Sequence, residues 1–530
     1  MSILFMSNQF ETKPICFVFS KSIQEEGRMK KILAMILVLA LAFGLVACGG
    51  AASSQAEAPA EEKKEEAAPA EEKKEEAPAE ESKAEEAPAE ESKAEEAPAE
   101  EGAGEAITVV YRCSVGAYVN VLQDMIAKYN EGQGKEDGVY IDFQSDINEY
   151  SSNLDKLMQA GTHFDIFDGG TNKDWLAQGY IKSIDSILEE TGDPDLQALV
   201  DSYEPYIIDG VMRVNGELIC LPLEVLPIKL AVNKDLFEAN NLEYPKTLSE
   251  MVECAKVITE NGGGDVFGYG WTNWSIAFRR LACKATMSST GVGWFNNKEN
   301  KYDFTPFKPI VDAMTEMYQN GWILGADDLA IDPIRAEFSA GRVGMFPAPA
   351  YDVSVYTNQF PAECNWEIID MPLYDDVTTP YKGVYLTRVN CVIDAKCWDE
   401  ADDAKKAAIL KAFLFINSDE MNAEIYANGG MIPYKEDLIK NTPLKVDIPQ
   451  WAQMADITNY GPINLFPDSL LMLEGDNFDT VFSEIMHGDA KWEDVIDDLN
   501  ERYNAAWEEV QQDPPMDLSM YQYDYDLTRN

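Results

Sequence analysis

Two tryptophans stand three residues apart in YGWTNWS, Trp271 and Trp274, and a third, Trp294, follows in GVGWFNN. Flat apolar rings with polar neighbours can stack on the C–H faces of a hydroxyl-rich solute such as a sugar, while the neighbours pair its hydroxyls. The same three rings would serve equally well as core. Bond-breaking chemistry has little to work with. Only two histidines occur, His163 and His487, which removes most zinc sites and the Ser-His-Asp and Cys-His mechanisms. His163, in AGTHFDIFD just before a strand, reads as structural. Cys113, Cys220, Cys254, Cys283, Cys364, Cys391 and Cys397 are scattered without a CxxC, so they are not a disulfide framework. Buried thiols are expected of them, with Cys391–Cys397 the candidate pair. No GxxxxGK[ST] loop is present to cradle a nucleotide. Neither a cofactor nor a metal is expected.

Such side chains need a scaffold, and it begins at Ile107. ITVVYRCS is an apolar β-branched run that reads as a strand. YVNVLQDMIAKYNE places Val121, Leu122, Met125, Ile126 and Tyr129 at helical spacing. VYIDFQSD is again a strand, YSSNLDKLMQAG a helix ending in glycine, and FDIFDGG a strand. Strands alternating with helices predict an α/β fold with a mainly parallel sheet. Ligands of open sheets bind beyond the carboxyl ends of the strands, which here are Ser114 to Tyr118, Asp146, and Asp168 to Thr171. Tyr118 is the candidate on the first of these loops. Asp168 is the candidate on the third, beside two glycines that let a ligand approach closely. Glu224, in LPLEVLP, is a charge among prolines and apolar residues. It needs a partner, either Lys229 or a ligand, and the ligand is preferred.

The N-terminal fifth is of a different kind. Lys30 and Lys31 precede ILAMILVLALAFGLVA, an uncharged run shorter than the roughly 20 residues of a spanning helix. Basic start, apolar core and small residues at the end are the layout of a secretory signal over 29–47. LVACGG resembles a bacterial lipobox, which makes Cys48 the expected lipid-carrying (palmitoylated) first residue of the mature chain. Residues 1–28 read as a misassigned extension, with Met29 the expected start. From Ala51 to Ala106 the sequence repeats Glu, Ala, Pro and Lys with a period near ten and a net charge of −14. Such a stretch has nothing to bury and is expected to be a disordered tether over 48–106. As a flexible coil it spans on the order of 40 Å. Residues 1–50 carry +2, and the whole chain −52, which leaves −40 for residues 107–530. That surface repels nucleic acid and anionic membrane.

Further along, the sequence resembles a known family in several places, in order. NGELICLPLE and AVNKDLFEANNLEYPKTLSEM are similar to the strand pair and the Asn-Lys-Asp and Pro-x-Thr segments of bacterial extracellular solute-binding proteins of the sugar-binding family (family 1). Val232 stands where that family usually has Tyr, and Leu248 where it has Trp. AEFSAGRVGMFPAPAYDVSVY resembles its next segment, with Ala350-Tyr351 replacing a Gly-x-Trp. AAILKAFLFINSDEMNAEIYANGGMIPYKEDL and IMHGDAKWEDVIDDLNERYNAAWEE are similar to its closing helices. The resemblance covers nearly all of 107–530. It implies a two-lobed, periplasmic-binding-protein-like fold of type II. One lobe would hold about 107–225 and 365–398, the other about 232–360 and 403–510. Hinge crossings are implied near Glu224–Val232, Phe360–Asn365 and Lys396–Asp403. It also implies that Tyr351, Tyr385 and Arg388 line the cleft, and that Asp165 is structural.

On this reading the chain is a monomeric receptor, tethered at the outer face of a Gram-positive cell membrane by its lipid. It captures a small solute, an oligosaccharide first of all, by cleft closure and delivers it to an ABC-type permease. A polyamine or another small solute is the alternative cargo, since the acidic charge suits a cation. A glycoside hydrolase would need two flanking carboxylates, and no local motif marks such a pair. A surface adhesin would suit the tether but not the α/β pattern.

Overall fold

The computed structural model describes residues 106–530, apart from 115–117, 147–149, 170–174, 177, 272–274, 326–329, 516 and 530. The expected signal, Cys48 and the tether lie outside the described residues, as does Trp274.

The first strands form where the sequence predicts them. Ile107–Ser114 turns Val109, Tyr111 and Cys113 inward, the period-two alternation of a strand with one buried face. It pairs in parallel with Val139–Asp146 on one side and Ile166–Asp168 on the other. Helix Val119–Glu131 joins the first two, burying Val119, Leu122, Met125, Ile126 and Tyr129. Val119 takes the place expected of Val121, which is half-exposed. The sheet is completed by Cys391–Asp394, antiparallel to Ile166–Asp168, and then by Ile181–Lys182. Helix Asp403–Ile416 covers it, and Lys405 Nζ reaches Asp165 at 2.7 Å and the Thr108 carbonyl.

A second sheet is organised by Pro222–Asn233, twelve consecutive buried residues. Its order is Ile323–Leu324, Phe267–Gly270, Val343–Pro349, Pro222–Asn233, Gly383–Val389 and Tyr460–Pro462, with Trp366–Ile369 also on the long strand. Along that strand Ile228, Leu230 and Val232 face one core and Ala231 the other. Pro227 has no N–H to donate. It sits where the Gly383–Val389 pairing ends and the Val343–Pro349 pairing begins, a place where a ladder bond is dispensable. Both sheets are mixed. The opening strands are parallel, as are Ile323–Leu324, Phe267–Gly270 and Val343–Pro349 and the pair Gly383–Val389 and Tyr460–Pro462, while the strands that return through the junction run antiparallel to their partners.

The result is a two-lobed α/β fold. The chain passes between the sheets within Pro222–Asn233 and back within 383–394. It passes again between the helices over the first sheet and Tyr460–Pro462. The last two crossings differ from those implied at 360–365 and 396–403. Trp366–Ile369 pairs with the long strand of the second sheet, and Asp403–Ile416 packs on the first, because their apolar faces match those sheets.

Among the described residues no helix is long and apolar enough to cross a membrane, and no group of three or more His, Cys, Asp or Glu could hold a metal ion. The seven cysteines of this region are free. The Cys391–Cys397 pair is not formed. Cys391 is wholly buried beside Asn417, while Cys397 lies in the following helix near Asp394.

Candidate functional site

Four of the expected site residues converge where the lobes join. Arg388 and Glu224 are directly opposite on paired strands, and Arg388 Nη1 donates to Glu224 Oε1 at 2.6 Å. Glu224 is 4 % exposed, so its partner is Arg388 and not Lys229. Lys229 instead donates to the carbonyls of Gln453 and Asp456 at the base of the second lobe. Burial pushes the Glu224 carboxyl up from its ordinary value, and the guanidinium only partly opposes this. For Arg388 burial works against the charge, yet Glu224, Tyr118 and Asp168 together outweigh it and the pKa is raised. Its side chain is 36 % exposed, and its remaining N–H donors have no partner among the described residues. That leaves a fixed, charged fork open to a solute's oxygens.

Tyr118 and Asp168 stand close enough to this pair to feel its charges. Tyr118 is buried and its phenol is raised, by burial first and by Asp168 second, with Arg388 opposing. Asp168 ends its strand as a collector of donors. Tyr111 Oη reaches it at 2.9 Å, Ser114 N at 2.8 Å and Ser114 Oγ at 2.7 Å. Burial raises its carboxyl, and these bonds hold it back. Its oxygens therefore tie the end of the first strand to the end of its neighbour. The neighbouring Gly169 (φ 132°) makes room for Trp175, whose ring a Cβ would meet at 2.2 Å, so that glycine serves packing rather than a ligand.

Tyr385 adds an aromatic cluster at the junction. Its ring meets Tyr434 edge to face at 6.1 Å, and Tyr434 meets Tyr206 at the same distance. Burial pushes the Tyr385 phenol up to about 12. The Tyr385 carbonyl accepts from Ile463 N at 2.9 Å. Ile463 lines a cavity of about 540 Å³ between the lobes. Ile207, Ile208 and Arg213 enclose it from the first lobe, and Pro462, Ile463 and Leu465 from the second. Its volume is within the roughly 300–1,000 Å³ of small-molecule sites. Arg213 is neutralised by Glu204, Asp209 and Asp185, so the rim is acidic.

The other expected residues lie elsewhere. Trp271 is 5 % exposed at a strand end in the second core. Trp294 is 2 % exposed among Phe307, Phe466 and Phe478, with Nε1 donating to Asp468. Tyr351 stands apart, with the Arg335 guanidinium over its ring at 5.8 Å. Asp165 is structural, accepting from Val110 N and Lys405. His163 is structural as well, pairing with buried Asp394 at 2.8 Å. Tyr206 and Tyr434 were missed. Tyr434 follows the GGMIP turn, and nothing near Tyr206 marks it in sequence.

A family model described as bacterial extracellular solute-binding protein matches residues 119–389. No curated relative matches the sequence. Among solved structures, the GacH receptor of Streptomyces glaucescens, described in complex with acarbose, is 13 % identical with a TM-score of 0.57, over 77 % of this chain and 98 % of its own. An ABC substrate-binding protein of Listeria monocytogenes, described in complex with cycloalternan, is 16 % identical with a TM-score of 0.55, over 75 % and 98 %. The sugar-binding protein MalE of Xanthomonas citri is 15 % identical with a TM-score of 0.55, over 77 % and 98 %. At these identities the likeness establishes the fold. With a family match over more than half of its length, two mixed sheets and a cleft between them, the chain belongs to the bacterial extracellular solute-binding proteins, a family of binding proteins and not of enzymes.

Proposed function

We propose that the protein is the solute receptor of an ABC-type permease and that its solute is an oligosaccharide, held in the cleft by lobe closure. The observations that carry this reading are the cavity between the lobes, with Tyr523 and Tyr525 in its wall, and the Arg388–Glu224 pair and Tyr385 cluster at the junction. Rings supply faces for C–H surfaces, and the open guanidinium donors pair oxygens. Cleft residues come from both lobes, so a bound solute favours the closed form, and a permease can distinguish it. Solved structures of similar fold, described with acarbose and cycloalternan, agree in ligand class. Cys48 and the 51–106 run would tether the receptor to the outer face of the membrane.

The acidic rim of Asp209 and Asp517 favours one second reading, a cationic polyamine. A thermal-shift screen of residues 107–530 separates the two, because a ligand of the native state raises the melting temperature by mass action. The expected outcome is a shift with one oligosaccharide class. A shift with polyamines alone would overturn the sugar, and no shift with either would overturn both. Anchoring is tested separately. Labelled palmitate should enter the full-length protein and not Cys48→Ser.

A further inference from the structure

The helix Trp492–Gln512 closes the family-like part of the chain, yet the protein continues for a further ordered stretch. Residues 517–529 return along the second lobe through a 3-10 turn, Ser519–Tyr521, followed by an irregular stretch. Tyr521, Tyr523, Tyr525 and Leu527 turn inward, and Gln522, Asp524 and Asp526 face outward. The stretch is anchored at several points. Asn297 Nδ2 donates to the Tyr521 carbonyl at 2.9 Å, Tyr525 Oη donates to the Pro462 carbonyl at 2.8 Å, and Lys382 N donates to the Leu527 carbonyl at 2.8 Å.

That inward face packs on the second lobe, and Met520 beside it meets the first. The hairpin Arg213–Val214/Glu217–Leu218 turns through Asn215 and Gly216, both at positive φ, and extends the first lobe toward the tail. At its base Gly210 (φ 80°) comes so near Met520 that a Cβ would lie 2.4 Å from the Met520 methyl. On either side of this contact is a cavity, one of about 540 Å³ with Tyr523 and Tyr525 in its wall and one of about 650 Å³ with Tyr521. The rings of Tyr523 and Tyr525 are half-buried and edge to face at 6.1 Å. Tyr525 also lies near enough to Tyr385 for their phenols to interact. The tail therefore supplies the tyrosines of the cavity wall and brings one of them near Tyr385.

We infer that the tail is a third wall of the solute site, and that Tyr523 and Tyr525 form a stacking subsite for saccharide units beyond those held at Tyr385 and Arg388. This rests on the oligosaccharide reading above. The Gly210–Met520 contact sets the spacing between hairpin and tail, so the subsite selects by chain length.

The test uses the mature chain and two probe ladders, maltose to maltohexaose and xylobiose to xylohexaose, titrated by calorimetry. Affinity is expected to rise along one ladder. Tyr523→Ala and Tyr525→Ala should each weaken its longest bound member by about three- to tenfold and leave the shortest nearly unchanged, while Tyr525→Phe keeps the ring and the affinity. A measurement without substitution accompanies it. Hydrogen exchange should show the longest bound member protecting both 521–525 and 209–218. Equal losses along the ladder, or unchanged exchange in the tail, would overturn the subsite and leave the receptor reading standing. Failure of the unsubstituted chain to bind either ladder would overturn both.

Discussion

Two regions of this molecule are rich in aromatic residues, and they differ in what surrounds the rings. In the second lobe Trp294, Phe295, Phe304, Phe307, Phe478 and Trp507 are at most 2 % exposed and touch one another. At the lobe junction Tyr206, Tyr385, Tyr523 and Tyr525 are half-buried, and Tyr523 and Tyr525 line a cavity. Both sets are apolar enough to pack. The first is closed on every side by other rings, so its work is cohesion. The second carries hydroxyls and is covered on one side only, which leaves a face for a solute. In this protein the tryptophans hold the lobe together and the tyrosines wait at its edge.

Substitutions can break that contrast. Trp294→Ala should have the largest effect, a loss of about 3–5 kcal/mol in urea unfolding, since it leaves a cavity among three phenylalanines. A loss below about 1 kcal/mol would remove the basis for calling that cluster the core. Arg388→Ala comes next, at about 3 kcal/mol, because it strands a buried carboxylate. Its pH dependence has a definite sign. The Glu224 carboxyl is raised above its ordinary 4.5, so stability from it is complete below 4.5 and lost as pH rises through the raised value. Removing the guanidinium that opposes the rise should make the variant's deficit shrink as pH falls from neutrality toward 4.5. A deficit that grows instead would show that Arg388 does not compensate Glu224.

Tyr385→Ala should behave in the opposite way to Trp294→Ala. The melting temperature should move little, while the affinity for whichever solute the screen identifies falls about tenfold, a loss of about 1.4 kcal/mol. A large stability loss with unchanged affinity would place Tyr385 with the core. The smallest effect needs no substitution. Cys283 belongs to the core, and Cys364 and Cys397 are half-buried, with burial pushing their thiols up to about 11 and about 12. Alkylation at mildly alkaline pH should be slow at the last two and slower at Cys283, speeding at Cys364 as pH approaches 11. Equal rates at all three would contradict the burial contrast.

Much of this was legible in the chain. The opening strands and helices follow from local alternation and spacing, and both end within a residue or two of where the pattern ends. Glu224 was visible as a charge in an apolar setting, Tyr118 and Asp168 as residues after strands, and Arg388 only through the family resemblance. Their mutual partnership was not, because Glu224 and Arg388 are 164 positions apart and only strand register makes them neighbours. The Trp271 and Trp294 environments were equally hidden. Spacing along a helix or strand says which residues share a face, and says nothing of which distant rings will cover that face. The alternation of Tyr521, Tyr523 and Tyr525 was present in the sequence as a strand-like pattern, and its meaning depended on the hairpin that meets it.

By itself, then, the sequence determined the α/β class, the acidic surface, the shortage of catalytic histidine and the order of family-like segments. These depend on composition and on neighbours a few residues away. The tertiary structure alone decided which charges pair, which aromatic rings are sealed and which remain open, and where the chain crosses between lobes. Those outcomes depend on contacts between segments hundreds of residues apart, formed only when two sheets and the helices over them bury their apolar faces together.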